Sequence, residues 1–239
     1  MRSYGIVLHS VRFNDTQLII DIFTESAGMV PVIVKIPRRG RQGAKACVWQ
    51  PLSLVELVWE PRLNANLQKP TEISLWRPWR SLSIEPFKAA MSLFMSEFLY
   101  DALRREQENK PLFEFMVNAL SWFDETDTHF VNFHIFFLLH LTRFLGFFPN
   151  VEDWQEGSYF DLESATFTFS CPSHIHFLHP HEAALVPKFL RMNLRSMQAV
   201  GLNREIRRRA LNIVADFYRL HIPEFPEIRS LDVLAEVFA

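Results

Sequence analysis

The stretch YGIVLHSVRFNDTQLIIDIFT, residues 4–24, decides the fold class. Two runs rich in aliphatic and β-branched residues, 4–13 and 17–24, flank the polar turn Asn14-Asp15-Thr16. Runs of this kind bounded by turn residues read as paired strands. Working outward, GMVPVIVKI (28–36) follows the Ala27-Gly28 turn, LSLVELVWE (52–60) alternates in part, and LQKPTEISLW (67–76) gives a fifth, weaker run. Five short strands separated by turns predict a small closed or partly closed barrel. Pro31 and Pro70 predict bulges or strand edges, because proline donates nothing to a ladder.

Near residue 83 the period changes. Ser83 is the expected helix cap, with Glu85 and Pro86 in the first turn. Phe87, Met91, Phe94, Met95, Phe98 and Ala102 then recur at helical spacing. A second helix follows Pro111 over 112–123. A third, capped by Asp127 or Thr128, runs to about Phe147, where Gly146 and Pro149 stop it. YFDLES and TFTFS within 150–178 read as a hairpin around Ser164-Ala165. Helices at about 180–192, 203–221 and 230–238 close the chain. The predicted class is α+β: a five-stranded barrel over 1–80, then a mainly helical domain over 81–239 with a small β-hairpin insertion.

Composition is consistent with a large aromatic core. Of 239 residues 49% are hydrophobic and 23 are Phe, while only 7 are Gly. Low-complexity disorder is excluded on that basis. The most apolar run, 130–148, contains Asn132, His134, His140 and Arg143. A membrane span needs about 20 nearly uninterrupted apolar residues, so this run reads as the central helix of a bundle. The N-terminus lacks the apolar core and cleavage site of a signal peptide. Cys47 and Cys171 make no disulfide framework. A cytoplasmic protein is expected.

Charge is unevenly spread. The formal net charge is −2, yet residues 1–80 hold 11 Lys/Arg against 6 Asp/Glu, a net of +5. Within VKIPRRGRQGAK (34–45), Lys35, Arg38, Arg39, Arg41 and Lys45 are uninterrupted by any acid. Gly40 and Gly43 permit close backbone approach. Two readings stay open: a solvated turn, or a phosphate site, which the basic end of the chain favours. Small barrels bind single strands through a positive groove and exposed aromatics; Tyr4, Phe13, Trp49 and Trp59 are the candidates. A second cluster lies in 203–222. There Ile206, Ala210, Ile213, Phe217 and Leu220 line one side of a helix, with Arg204, Arg207, Arg208 and Arg219 opposite and Arg209 at the boundary. This is either a solvated face or a second contact for DNA or an acidic partner.

CPSHIHFLHPHEA (171–183) raises a metal question through Cys171, His174, His176, His179 and His181. The residue types suit zinc, but no second ligand pair exists to complete a knuckle. No metal or other cofactor is assigned. Catalytic residues are not assigned either: P-loop, GxSxG, HExxH and paired CxxC patterns are all missing.

The order of features in 7–57 resembles the N-terminal domain of the RecO family of bacterial recombination mediators. The shared features are Val7-Leu8, Asn14-Asp15, Leu18 to Phe23-Thr24, Gly28, Arg38-Arg39 and Gln50-Pro51. FLGFFPN (144–150) and FYRLHIPEFPEIRSLDVL (217–234) resemble the same family's helical domain. The resemblance implies an OB-fold followed by a helical domain. It implies binding of single- and double-stranded DNA, strand annealing, and help in loading RecA onto strands coated by single-stranded-DNA-binding protein. It further implies partnership with RecR and with the acidic C-terminal tail of that coating protein, and association with the nucleoid during repair. Lys35, Arg38, Arg39, Arg41 and Lys45 carry over as the DNA contact. Many members of the family carry a four-cysteine zinc module after the helix ending near Phe148; here only Cys171 stands in that region, so 150–178 reads as a degenerate module. A different class of function, an OB-fold adaptor that binds protein without DNA, remains the alternative, and salt-dependent DNA binding separates the two.

Overall fold

The computed structural model describes residues 1–36, 47–62, 65–197 and 201–237. The chain forms two compact units, Met1–Glu125 with Ile228–Ala239, and Thr126–Glu227.

The first unit begins with five strands: β1 (Arg2–Asn14), β2 (Gln17–Thr24), β3 (Gly28–Lys35), β4 (Leu54–Trp59) and β5 (Pro70–Arg77). Their order is β3-β2-β1-β4-β5, every neighbouring pair antiparallel. Period-two alternation turns Val7, Ile20, Ile22, Val30, Val32, Val55, Leu57 and Trp59 into one apolar core. The prolines sit as expected. Pro31 lies on edge strand β3, and Pro70 opens edge strand β5. The barrel expectation needs correcting in one respect, because the sheet is not closed by a ladder. Among the described residues the edges meet at a single parallel bridge, Val32 to Gln68, with Ile33 N donating to Gln68 O (2.9 Å) and Gln68 N to Pro31 O (2.9 Å).

Gly28 shows why the β2–β3 turn needs glycine. Its φ is +64°, and an added Cβ would lie 2.4 Å from the backbone of Gln107 and Glu106. Met29 N donates to Glu106 O (3.1 Å) at the same point. The turn is thus pressed against the loop that follows the first helix, α1 (Pro86–Ala102).

Helix α1 is capped by Glu85, not by Ser83 as expected; its carboxylate accepts from Lys88 N (2.7 Å). Pro86 explains the shift. It fixes φ at the first helical position and leaves the preceding residue as the cap. Met91, Phe94, Met95, Phe98 and Ala102 are buried as their spacing predicts, whereas Phe87 in the first turn is exposed. Helix α2 (Lys110–Glu125) ends in a clamp. The Asp124 carboxylate accepts from the backbone N–H of Arg80 (2.8 Å), Ser81 (2.7 Å) and Leu82 (3.1 Å). Buried Lys88 donates to Ser81 Oγ (2.7 Å) and Asp124 O (3.0 Å). Burial alone would raise the Asp124 pKa; the three N–H groups outweigh it and hold the carboxyl below its usual range. This clamp fixes the chain between β5 and α1.

The second unit is built on helix α3 (Phe133–Leu145), buried along nearly its whole length. It starts later than the Asp127 or Thr128 cap predicts. His129 is left-handed at φ 61°, a conformation that no helix interior accommodates. Gly146 ends the helix at φ 86°, as expected. The hairpin is present as β6 (Tyr159–Asp161) and β7 (Thr166–Thr168), and the His-rich segment adds a third strand, β8 (Phe177–Leu178), in the order β7-β6-β8. Phe160, Leu162, Phe167, Leu178 and Phe217 form its small core. The single helix expected at 180–192 is two, α4 (Pro180–Ala183) and α5 (Val186–Arg191), because Pro187 starts a new helix instead of continuing one. Helix α6 (Arg204–His221) is capped by Asn203, whose Oδ1 accepts from Ile206 N (2.8 Å). Helix α7 (Ser230–Val237) returns to the first unit.

Candidate nucleic-acid interface

Lys35 is the last residue of β3, exposed, and opposite Gln17 of β2. The next residue, Ile36, donates its N–H to Thr16 O (2.8 Å), so the end of β3 is tied to the β1–β2 turn. Arg38, Arg39, Arg41 and Lys45 lie outside the described residues. The chain is described again at a 3-10 turn, Cys47–Trp49, where Val48 enters the sheet core and Trp49 packs against it. Both flanks of the basic segment are therefore held by the five-stranded sheet.

Neighbouring cations on the sheet are already engaged. Arg2 pairs with Glu56 (2.6 Å), and their mutual hydrogen bond raises the pKa of one and lowers that of the other. Arg12 donates to Asn14 O (3.3 Å) and Asp15 (3.1 Å). Lys35 has no acidic partner among the described residues. Of the candidate aromatics, Trp59 is in the core, Trp49 packs against it, and Tyr4 stacks on Trp76 at 4.1 Å. Phe13 is 57% exposed. Reading the residues alone missed Trp76 and Arg77, whose guanidinium lies 4.4 Å from the Trp76 ring centre. Arg77 ends β5 and faces Leu54 of β4 in the ladder. Only that register, invisible in the local pattern, brings the pair beside Tyr4.

The arginines of α6 do not form one patch. Arg204 and Arg208 are exposed. Arg207 is half-buried and donates to Leu202 O (2.6 Å). Arg219 pairs with Asp216, and Arg209 pairs with Glu182 at 2.6 Å. Between α3, α5 and α6 lies a cavity of about 500 Å³, lined by Ile135, Leu139, Phe189, Ile206, Ala210 and Ile213. Arg209 and Glu182 stand among its few polar lining residues. This cavity explains why Ile206 and Ile213 are only half-buried, although they share the apolar side of their helix with Ala210 and Phe217.

The histidines have structural surroundings. His174 Nε2 is 3.5 Å from Asp161 and its Nδ1 3.6 Å from Glu163. His179 lies against Tyr159 and Phe177 and precedes α4. Among the described residues no group of three or more His, Cys, Asp or Glu is placed to hold a metal ion. No described helix is long and apolar enough to cross a membrane.

An open five-stranded sheet of OB type, followed by a helical region with a small three-stranded sheet, defines the class of protein. Comparison with known proteins gives the family. Residues 1–79 match the model "Recombination protein O N terminal", and residues 85–231 match "Recombination protein O C terminal". The DNA repair protein RecO of Phocaeicola vulgatus is 42% identical over 238 residues, covering 100% of this chain and 99% of the relative. That of Bacteroides fragilis is 42% identical over 99% and 98% of the two chains, and that of Flavobacterium johnsoniae 32% over 100% and 99%. The chain belongs to the RecO family of DNA repair and recombination proteins.

Proposed function

We propose that this protein is a recombination mediator that binds single- and double-stranded DNA through its five-stranded sheet, anneals complementary strands, and assists loading of RecA onto DNA coated by single-stranded-DNA-binding protein. The observation that carries the DNA reading is Lys35. It is an exposed cation without an acidic partner among the described residues, at the end of a strand that leads directly into Arg38, Arg39, Arg41 and Lys45. A mediator of this kind makes no covalent bond. It neutralises phosphates so that two strands can approach, and it holds protein partners during the exchange.

Those partners are RecR and the acidic C-terminal tail of the coating protein. The α3–α5–α6 cavity suits the apolar end of such a tail, and the exposed Arg204 and Arg208 lie on the helix that lines it. The protein then acts in the cytoplasm, at the nucleoid during repair. The same cavity also favours a second reading, in which the protein is an adaptor that binds protein alone.

Titrating a labelled single strand across a range of salt separates the two. Wild-type affinity falls with salt, with a logarithmic slope of about −0.7 per phosphate contact. Changing Arg38, Arg39 and Arg41 together to Ala flattens that slope by about 2 if each makes one contact. A wild type that does not bind, or a triple variant unchanged in affinity and slope, leaves only the adaptor.

A further inference from the structure

Every residue that lines the α3–α5–α6 cavity is apolar except His181, Glu182, Glu205 and Arg209. Such walls offer few partners for peptide N–H and C=O groups, so what suits them is an apolar side chain. Arg209 is the lining residue whose charge is permanently positive. A protein chain that ends here brings an apolar side chain and a carboxylate on one residue, which matches both features. Arg204 and Arg208 stand beside Arg209 in the first turns of α6, so positive charge outweighs Glu182 and Glu205 around the opening.

Arg209 is held by one atom. Its Nε donates to Glu182 Oε1 (2.6 Å), an ion pair between α6 and α4. Its two Nη groups have no hydrogen-bond partner among the described residues. A guanidinium presents its N–H donors in a planar fork. Here the Nε donor is committed and the Nη end stays available for a second carboxylate. The carrier of Glu182 is itself fixed. Its N–H donates to His179 O (2.9 Å), its C=O accepts from Leu185 N (2.9 Å), and the next residue, Ala183, is fully buried in the core of the small sheet. The side chain of Glu182 is 17% exposed and that of Arg209 54%. The carboxylate is thus the sheltered partner, and the guanidinium is the one that reaches solvent. The hydrogen bond to Arg209, ahead of every other influence, holds the Glu182 carboxyl below its usual range, so the pair is ionised at neutral pH.

We propose that Glu182 is a positioning residue: it ties down Nε of Arg209 at the cavity and leaves the Nη end free to take the terminal carboxylate of an acidic protein tail that ends in an apolar residue. This rests on the tail reading above and deepens it. An arginine loose in solvent spreads over many rotamers, and a ligand must order it on binding. Glu182 has ordered it beforehand. The negative charge of Glu182 works the other way, because it repels the carboxylate that arrives. The two effects are separable by substitution. A neutral amide in place of the carboxylate keeps an oxygen for Nε and removes the repulsion, whereas a methyl group keeps neither.

The test uses two labelled peptides, Asp-Asp-Asp-Leu-Phe with a free C-terminal carboxylate and the same sequence amidated. Each is titrated with wild type, Glu182→Gln, Glu182→Ala and Arg209→Ala, all as the full chain. Wild type binds the free acid about 10-fold more tightly than the amide, the value for a hydrogen bond between charged groups. Glu182→Gln keeps that preference or enlarges it. Glu182→Ala lowers it to about threefold or less, because the guanidinium is no longer held. Arg209→Ala abolishes it. Affinity for the amidated peptide stays the same in all four proteins, which shows that the cavity is intact. Three results overturn the proposal: a full preference in Glu182→Ala, a preference lost as completely in Glu182→Gln as in Glu182→Ala, or a loss in Glu182→Ala shared equally by both peptides. A wild type that binds neither peptide removes the tail reading as well. A wild type that binds both peptides equally keeps the tail reading and removes the anchor alone.

Discussion

His134 is an ionisable group on the core helix α3, with 3% of its surface exposed, and its burial has a measurable consequence. Loss of hydration pushes its pKa down from 6.5 to about 3, and the charge of Arg207 acts in the same direction. The neutral ring is therefore the form that folds. The unfolded chain binds a proton there more readily, so stability from this group is complete above pH 6.5 and is lost progressively as pH falls towards 3. Its slope is about 1.4 kcal/mol per pH unit within that window. Burial also lowers the pKa of His140, outweighing its bond to Met192 O, and adds to the same trend. Asp124 is lowered too, but a depressed carboxyl loses its stabilising effect only at the acid end, below the ordinary carboxylate range. Denaturant unfolding at pH 7 and pH 5 should thus show a clear loss in wild type. The loss shrinks in His134→Leu whatever that variant's absolute stability. An identical pH slope in the two proteins would rule out His134 as its source.

At the scale of elements, helix ends are set by particular side chains. Glu97 on α1 reaches the start of α7, its two carboxylate oxygens accepting from Arg229 N (3.0 Å) and Ser230 N (3.0 Å). Two free N–H groups at a helix start are thereby satisfied, and a negative charge stands at the positive end of the helix. Glu97→Ala should cost about 1 kcal/mol, the usual loss for a helix cap. Hydrogen exchange should accelerate in α7, with the five-stranded sheet unaffected; uniform acceleration across the first unit would mean that Glu97 acts through α1 instead. Nothing near residue 230 advertises this cap, because the carboxylate that provides it comes from a distant part of the chain. The same distinction separates what was legible in the sequence from what was not. Pro31 and Pro70 marked the sheet edges, because a missing N–H is a local property. Gly146 marked a helix end for the same reason. The cap at Glu85, the left-handed His129 and the break before Pro187 moved boundaries by a few residues. The open barrel, the third strand β8 and the inward-turned Arg207 depend on long-range pairing that no local period encodes. Of the candidate interface, the charge of Lys35 and the basic segment was legible. The Trp76–Arg77 pair beside Tyr4 was not, because the β4–β5 register that brings it there is set across the sheet.

Across the whole molecule, charge is divided unevenly, and this offers a way to ask which part meets DNA. Residues 1–80 hold 11 Lys/Arg against 6 Asp/Glu, whereas residues 81–239 hold 14 against 21. Phosphate is drawn to the basic end and repelled by an acidic surface. Arg204 and Arg208 of α6 are exposed, and a second DNA path along that helix would depend on them. If the strand runs beside Lys35, changing both to Ala should alter affinity for oligo(dT) by less than about twofold and leave the logarithmic salt slope unchanged, because no phosphate contact is lost. If phosphates instead lie along α6, the same change weakens binding and flattens the slope by about 1.4, the value for two lost contacts. A flattened slope would move the DNA path from the sheet to α6, and an unchanged one would keep it beside Lys35.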